Sequence, residues 1–335
     1  MVNVQHIQYP VGQGGFHLGI LGNYAYIYDC GGYGSVKWKP IFSDVLDKLS
    51  KVDTLDIFIS HLHKDHYNNT MKLISTIGNT VQKINIYMPS MSDIEKIMLI
   101  CEYHIDNDDY SDEKPDDEYI NLVLTGKFAD TERTQKIKYA NTFSDDKIIS
   151  NNIILRSYTT SVSASNQKKF IKELIKQHIN TSNLASEIQK LGNKFWRSAI
   201  AAFKNTFKTK RITNHIMLSL YCGMSHLICC KNKINWLHTG DAYMKTCKQL
   251  EGFNKAFGEL LSNVNFAQIP HHSSKYNHDG KFFRLFNCCC HFYYTTQDKI
   301  NNYSAITQPH IDKSYMLPCQ QILSVSDNLL TKIEF

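Results

Sequence analysis

Apolar residues recur along this chain with two different periods. Short runs rich in Tyr, Ile and Val open it: from Val4 to about Ile27 the chain reads as two strands joined by the glycine-bearing turn VGQGG at residues 11 to 15. The apolar run Tyr24 to Tyr28 ends in Asp29-Cys30-Gly31-Gly32, a helix is expected around Ile41 to Leu49, and TLDIFIS at 54 to 60 is again strand-like. Strand, helix, strand in that order implies a layered α/β fold. Farther on the period changes. Leu184, Ile188, Leu191, Phe195, Ala199 and Phe203 follow one another at three- and four-residue steps, the mark of amphipathic helices. After Thr213 strand-like runs return at His215 to Cys222, His226 to Cys230 and Asn235 to Leu237, then the turn His238-Thr239-Gly240-Asp241. A run from Val264 to Ile269 ends at Pro270-His271-His272-Ser273-Ser274, and short strands and turns alternate from there to Phe335. No internal repeat is visible.

Charge changes this picture locally. Between 106 and 118 eight carboxylates face the single Lys114, a net of −7, which reads as a solvated loop. Between 167 and 211 eleven basic residues oppose Glu173 and Glu187, a net of +9 on the outer face of the amphipathic helices. The expected organisation is one domain over 1–335, with an acidic insertion at 90–150 and a basic helical insertion at 165–211. No apolar run approaches the roughly 18 to 20 residues a membrane span requires, so membrane insertion is not expected. The start MVNVQHIQYPVGQ has no signal-peptide pattern, which points to the cytoplasm. Of ten cysteines none forms a CxxC pair, so a cysteine zinc finger or thioredoxin-type centre has no support, and they read as small buried apolar groups.

The chemistry concentrates in histidine, of which there are 15. His61-Leu62-His63-Lys64-Asp65-His66 directly follows a strand-like run, and a strand-to-helix loop can fan three imidazoles and a carboxylate around two adjacent ions. His61 and His63 would serve one ion, Asp65 and His66 the other. Two divalent ions are expected; zinc suits the donors best, and manganese or iron would also fit. Asp241, in a turn after a strand, is the candidate bridge between the ions. His271 and His272, after another strand, are candidates to cap the second ion, one binding metal and the other left for substrate contact or proton transfer.

VGQG (11 to 14), YDCGG (28 to 32), HLHKDH (61 to 66), TGD (239 to 241) and PHHSS (270 to 274), in this order, resemble the metallo-β-lactamase fold superfamily, and within it the hydrolase domain of the competence (DNA-uptake) channel type and its soluble relatives. The resemblance spans about residues 4 to 320. It implies a four-layer αββα sandwich with the metal site at one edge between the sheets, and Asp29 as a buried organiser of loops. Two departures stand out. The usual PHHGS is PHHSS here, so Ser273 replaces a glycine and the local backbone is open to change. Many members also close the first ion with a third histidine upstream of the bridging aspartate. His215, 26 residues before Asp241, has a fitting separation, or is equally a strand histidine beside an asparagine that takes that place; His104 is a weaker candidate.

The function expected from these residues is a metal-dependent hydrolase using a metal-bridging hydroxide, with Asp65, His272 and His310 in catalytic roles and His272 or His310 supplying a leaving-group proton. A phosphodiester, in a small phosphate-bearing molecule or a nucleic acid, suits both the basic segment and the branch resembled. The alternatives are the same fold acting on a thioester, lactone or β-lactam, or a metal-bound sensor or regulatory partner in a bacterial defence or signalling operon.

Overall fold

The computed structural model describes residues 4–12, 14–32, 36–107, 117–128, 137–141, 145–150, 152–208, 212–225, 234–274, 276–278, 280–287, 290–296, 316–317, 319–326 and 333–334. It divides into two compact units, 1–89 with 136–159 and 217–335, and 90–135 with 160–216.

The first unit holds two seven-stranded sheets. One sheet contains β1 (Val4–Gln8), β2 (His17–Leu21), β3 (Tyr24–Tyr28), β4 (Thr54–Phe58), β5 (Lys83–Met88), β6 (Ile137–Asn141) and β14 (Ile333–Glu334), in the order β14-β1-β2-β3-β4-β5-β6. The other contains β7 (Lys147–Ser150), β8 (Ile153–Thr159), β9 (Leu218–Met224), β10 (Trp236–His238), β11 (Phe266–Gln268), β12 (His291–Thr296) and β13 (Gln321–Ser326), in the order β13-β12-β11-β10-β9-β8-β7. β3 to β6 and β10 to β13 are parallel runs, and the remaining pairs are antiparallel.

Alternation explains how the layers form. Tyr24, Tyr26 and Tyr28 project from one face of β3 and pack with Leu155, Leu218, Leu220 and Cys222 of the facing sheet. The outer face of the second sheet buries Tyr221, Leu237 and Phe292 against Leu250, Phe253 and Phe257 of α9 (Cys247–Phe257). That helix starts on a capping box, with Thr246 and Gln249 each satisfying the other's backbone N–H. On the first sheet's side lie α1 (Trp38–Lys48) and, after the short α2 (Lys64–Tyr67), α3 (Thr70–Ile77); α1 and α3 pack against each other and bury Phe42, Val45, Leu73 and Ile74. The result is the four-layer αββα sandwich.

The layer between the sheets is not wholly apolar. His6 accepts at Nδ1 from the Tyr26 hydroxyl (3.3 Å) or His17 Nε2 (3.2 Å), and its Nε2–H donates to the Ile234 carbonyl at 3.2 Å. Tyr26 also meets His238 Nε2 at 3.0 Å, and His238 Nδ1 meets the Tyr293 hydroxyl at 2.7 Å. These rings are all buried. Burial holds the His6, His17 and His238 imidazoles below their ordinary range, His6 down to about 3.

The second unit is helical: α4 (Asp93–Asn107), α5 (Asp117–Thr125), α6 (Ala164–Lys176), α7 (Leu184–Leu191) and α8 (Asn193–Phe207). Its buried carboxylates are backbone anchors. Glu95 accepts from Ser92 and Val162 N–H, and Glu102 accepts from Ile212 N–H at 2.6 Å. Of the expected apolar face, Leu184, Phe195, Ala199 and Phe203 are buried and Ile188 and Leu191 half-buried, while Lys168, Lys172, Lys190, Lys194, Arg197 and Lys204 are exposed.

Three expectations change. The stretch 90–150 is not one insertion, because β6 and β7 within it pair into the two sheets and only 90–135 joins the helical unit. Of the acidic run, 108–116 lie outside the described residues, whereas Asp117 and Glu118 occupy the first turn of α5, where negative charge favours the helix dipole. The cysteines are also mixed: Cys30, Cys101, Cys222 and Cys290 are buried, but Cys247 and Cys319 are exposed.

Candidate metal centre

The loops that carry the chemistry leave the carboxyl ends of neighbouring parallel strands, the edge where ligands gather in such sheets. Asp29 follows β3, His61 to His66 follow β4, Asp241 follows β10, and His271 and His272 follow β11. The glycine motifs explain how the loops come so close. A Cβ on Gly14 would lie 2.3 Å from the Asp65 carbonyl oxygen, and one on Gly31 would lie 2.5 Å from it, so any larger residue would push the Asp65 loop away.

Two groups of donors assemble. His61, His63 and Asp241 have ligand atoms within 4.8 Å of one another, and so do Asp65, His66 and His272. Asp241 faces both. Its Oδ2 lies 3.7 Å from His61 Nε2 and 3.4 Å from His271 Nε2; its Oδ1 lies 3.5 Å from His66 Nε2 and 3.7 Å from His272 Nε2. His66 Nε2 and Asp241 Oδ1 are buried and have no hydrogen-bond partner.

The back of each imidazole fixes what its front offers. His66 Nδ1 donates to Asp29 Oδ2 at 2.7 Å. Asp29 also accepts from the Ser60 N–H at 2.6 Å and the Ser60 hydroxyl at 2.8 Å, and the Ser60 oxygen in turn accepts from His61 Nδ1 at 2.9 Å. His272 Nδ1 donates to the Thr295 carbonyl at 3.1 Å and lies 3.0 Å from its hydroxyl, which itself donates to the Gly14 carbonyl. With Nδ1 engaged behind, His61, His66 and His272 each turn Nε2 toward the Asp241 carboxylate, and His61 Nε2 also lies 2.9 Å from His63 Nδ1. A carboxylate ringed by imidazole nitrogens in this way favours a positive charge between them. Nitrogen and carboxylate donors with their rear faces held in this way are the arrangement of a metal site, so this donor set fits divalent ions.

The electrostatics show where a cation is favoured. Burial alone would lower His66, but Asp241, Asp29 and Asp65 hold it up to about 10, so the carboxylates around it favour a positive charge at this spot. Burial would raise Asp241, yet the surrounding His271, His66, His272 and His61 drive it far below the usual carboxylate range. His61 is lowered by burial and by its neighbours His66 and His63. Asp29 is raised by burial, against the pull of His66 and the Ser60 donors.

Several expected residues fall elsewhere. His215 sits in a short turn, Thr213–His215, of the helical unit, and His104 lies in α4 of that unit; neither belongs to either donor group. His310 lies outside the described residues. His272, expected as the proton donor, is grouped with Asp65 and His66. Ser60, Thr295, Asn277 and Gln268 were not anticipated. Gln268 Oε1 accepts from both Thr239 and Gly240 N–H (3.1 and 3.0 Å), which sets the turn bearing Asp241. Ser60 had one sequence signal, its place between a strand and the first histidine. The others had none.

No protein-family model matches the chain, and no curated protein sequence does. Among solved structures it is similar to unliganded yeast PDE1, at 11% identity over 98% of this chain and 99% of that one, with a TM-score of 0.47. It is also similar to the metallo-beta-lactamase fold protein YhfI from Bacillus subtilis, at 10% identity over 99% of both chains and a TM-score of 0.44. Human tRNase Z, short form, gives 10% identity over 98% of both chains and a TM-score of 0.43. At these identities and scores the likeness assigns no residue a role.

Proposed function

We propose that this chain is a dinuclear metal-dependent hydrolase acting on phosphodiesters. The observation that carries the reading is the bidentate placement of Asp241, one oxygen toward His61 and the other toward His66 and His272. His61, His63 and Asp241 would hold one ion, and Asp65, His66, His272 and Asp241 the other. Such ions supply an activated water at neutral pH and neutralise charge that develops on the attacked group. The chain's own part is to hold and orient. Asp29 and Ser60 fix the tautomers of His66 and His61, and Thr295 fixes that of His272. With Nδ1 and Nε2 both engaged, His272 is a holding residue in this reading and not the proton donor. The exposed lysines of α6 to α8 support a phosphate-bearing substrate.

The test is metal content and turnover on a bis-aryl phosphate diester for the wild type, His63→Ala and Asp241→Ala. The wild type should hold about two transition-metal ions per chain, and Asp241→Ala should lose at least about 1000-fold in kcat/KM, roughly 4 kcal/mol. A metal-replete wild type without stoichiometric metal, or an Asp241→Ala variant of unchanged activity, sinks the reading.

A further inference from the structure

The first donor group, His61, His63 and Asp241, has three protein ligands, and an ion that also binds a water can expand to five, which leaves room for one more protein ligand. Neither His215 nor His271 is in either donor group. His271 nonetheless meets the shared carboxylate. Its Nε2 lies 3.4 Å from Asp241 Oδ2, the same oxygen that faces His61, whereas the next residue, His272, turns its Nε2 to the other oxygen.

Adjacent side chains on regular backbone diverge. Here they converge because His271, His272 and Ser273 are consecutively left-handed, with φ of 49°, 51° and 66°. Three such residues in a row are costly for side chains with a Cβ. The turn is held at its ends, with the His271 N–H donating to the Gly240 carbonyl at 3.0 Å and the Ser274 N–H to the His271 carbonyl at 2.8 Å. Asn277 sets the ring. Its Nδ2 donates to the Asp241 carbonyl at 2.9 Å, so its Oδ1, 2.7 Å from His271 Nδ1, is the acceptor there and Nδ1 carries the proton. With Nδ1 turned to Asn277, the His271 ring directs its Nε2 at Asp241 Oδ2, the oxygen that also faces His61.

We propose that His271 closes the first metal position, so that the two neighbouring histidines of one left-handed turn serve different ions on either side of Asp241. This rests on the dinuclear reading above. The first position then has three imidazoles and one carboxylate oxygen, and the second has two imidazoles and two carboxylate oxygens. The nitrogen-rich position should prefer zinc or cobalt, and the oxygen-richer one should accept manganese more readily. Asn277 is a positioning residue, for the His271 ring through Oδ1 and for the turn bearing Asp241 through Nδ2.

Cobalt(II) titration with metal analysis and visible absorption tests this. The wild type should take two ions and His271→Ala one. The double variants separate the positions: His63→Ala with His271→Ala should still hold one ion, whereas His272→Ala with His271→Ala should hold none. Asn277→Ala, which keeps every ligand, should weaken the first ion's binding by about 10- to 100-fold and the second's by less. Two ions of wild-type affinity in His271→Ala would overturn the proposal. So would the reverse result in the double variants, or loss of the first ion in His215→Ala with His271→Ala unaffected. A wild type that takes no cobalt refutes the dinuclear reading itself, an outcome distinct from two ions bound without the help of His271.

Discussion

Acid should destabilise this fold well above the range where ordinary carboxylates titrate, and the imidazoles between the sheets set the size of the effect. His6 is buried, stacked on Trp236 at 5.1 Å between ring centres, and held down to about 3 by desolvation against an ordinary 6.5. The unfolded chain therefore takes up the proton first as pH falls. The stability that neutral His6 contributes is complete above about 6.5 and is lost progressively down to about 3. At pH 5 the loss from this one group is about 2 kcal/mol, and none of it has occurred at pH 7.5. His17 and His238 shift in the same direction and add to the slope. The perturbation is His6→Gln, studied by equilibrium urea unfolding with circular dichroism, chelator in every sample, at pH 7.5 and pH 5. The variant should be less stable at pH 7.5, because it disturbs the contacts to His17, Tyr26 and the Ile234 carbonyl. Its deficit relative to wild type should shrink by about 2 kcal/mol at pH 5, since it has one fewer buried group to protonate. Parallel pH profiles for the two proteins would refute the reasoning, and a deficit that widens in acid would reverse its sign.

Asp29→Asn keeps the side-chain shape but removes the charge behind His66, and should weaken binding of the second ion by about 10- to 100-fold in a cobalt titration. Ser273, buried at φ 66°, should tolerate glycine with little change or a gain of up to about 1 kcal/mol, whereas Ser273→Val should cost more than about 2 kcal/mol; thermal unfolding decides between them. Thr246→Ala removes the capping box of α9 and should lower unfolding free energy by about 1 kcal/mol. If the basic helices meet a polyanion, nucleic-acid binding should weaken steeply between low and high salt, and reversing Lys172, Lys190 and Lys194 to Glu should abolish it; salt-independent binding would remove that surface from the argument.

Period-two and period-3.6 patterns, local consequences of which face is buried, were enough to place β1 to β4, β9 to β11 and the amphipathic helices over 184–203, but not β5 to β8. HLHKDH was legible for a similar reason. Its donors are close in sequence, and a strand-to-helix loop is the only local geometry that spreads them; the structure places Lys64–Tyr67 in the short helix directly after that loop. The layered α/β class followed from the order of elements, and the αββα arrangement was what the resemblance to the metallo-β-lactamase fold superfamily implied. What the linear order could not decide was anything that depends on two distant segments meeting. Asp241 has meaning only where the β10 turn faces the β4 loop, and the division of labour between His271 and His272 follows from three left-handed residues whose conformation no side-chain type announces. His215 has a fitting separation of 26 residues from Asp241, or is equally a strand histidine; spacing along a chain is not distance in space, and the structure groups that residue with neither set of donors. Asn277, Thr295 and Ser60 stay invisible for the same reason: an orienting hydrogen bond needs one ordinary polar atom in the right place, and only the packed sheets define that place.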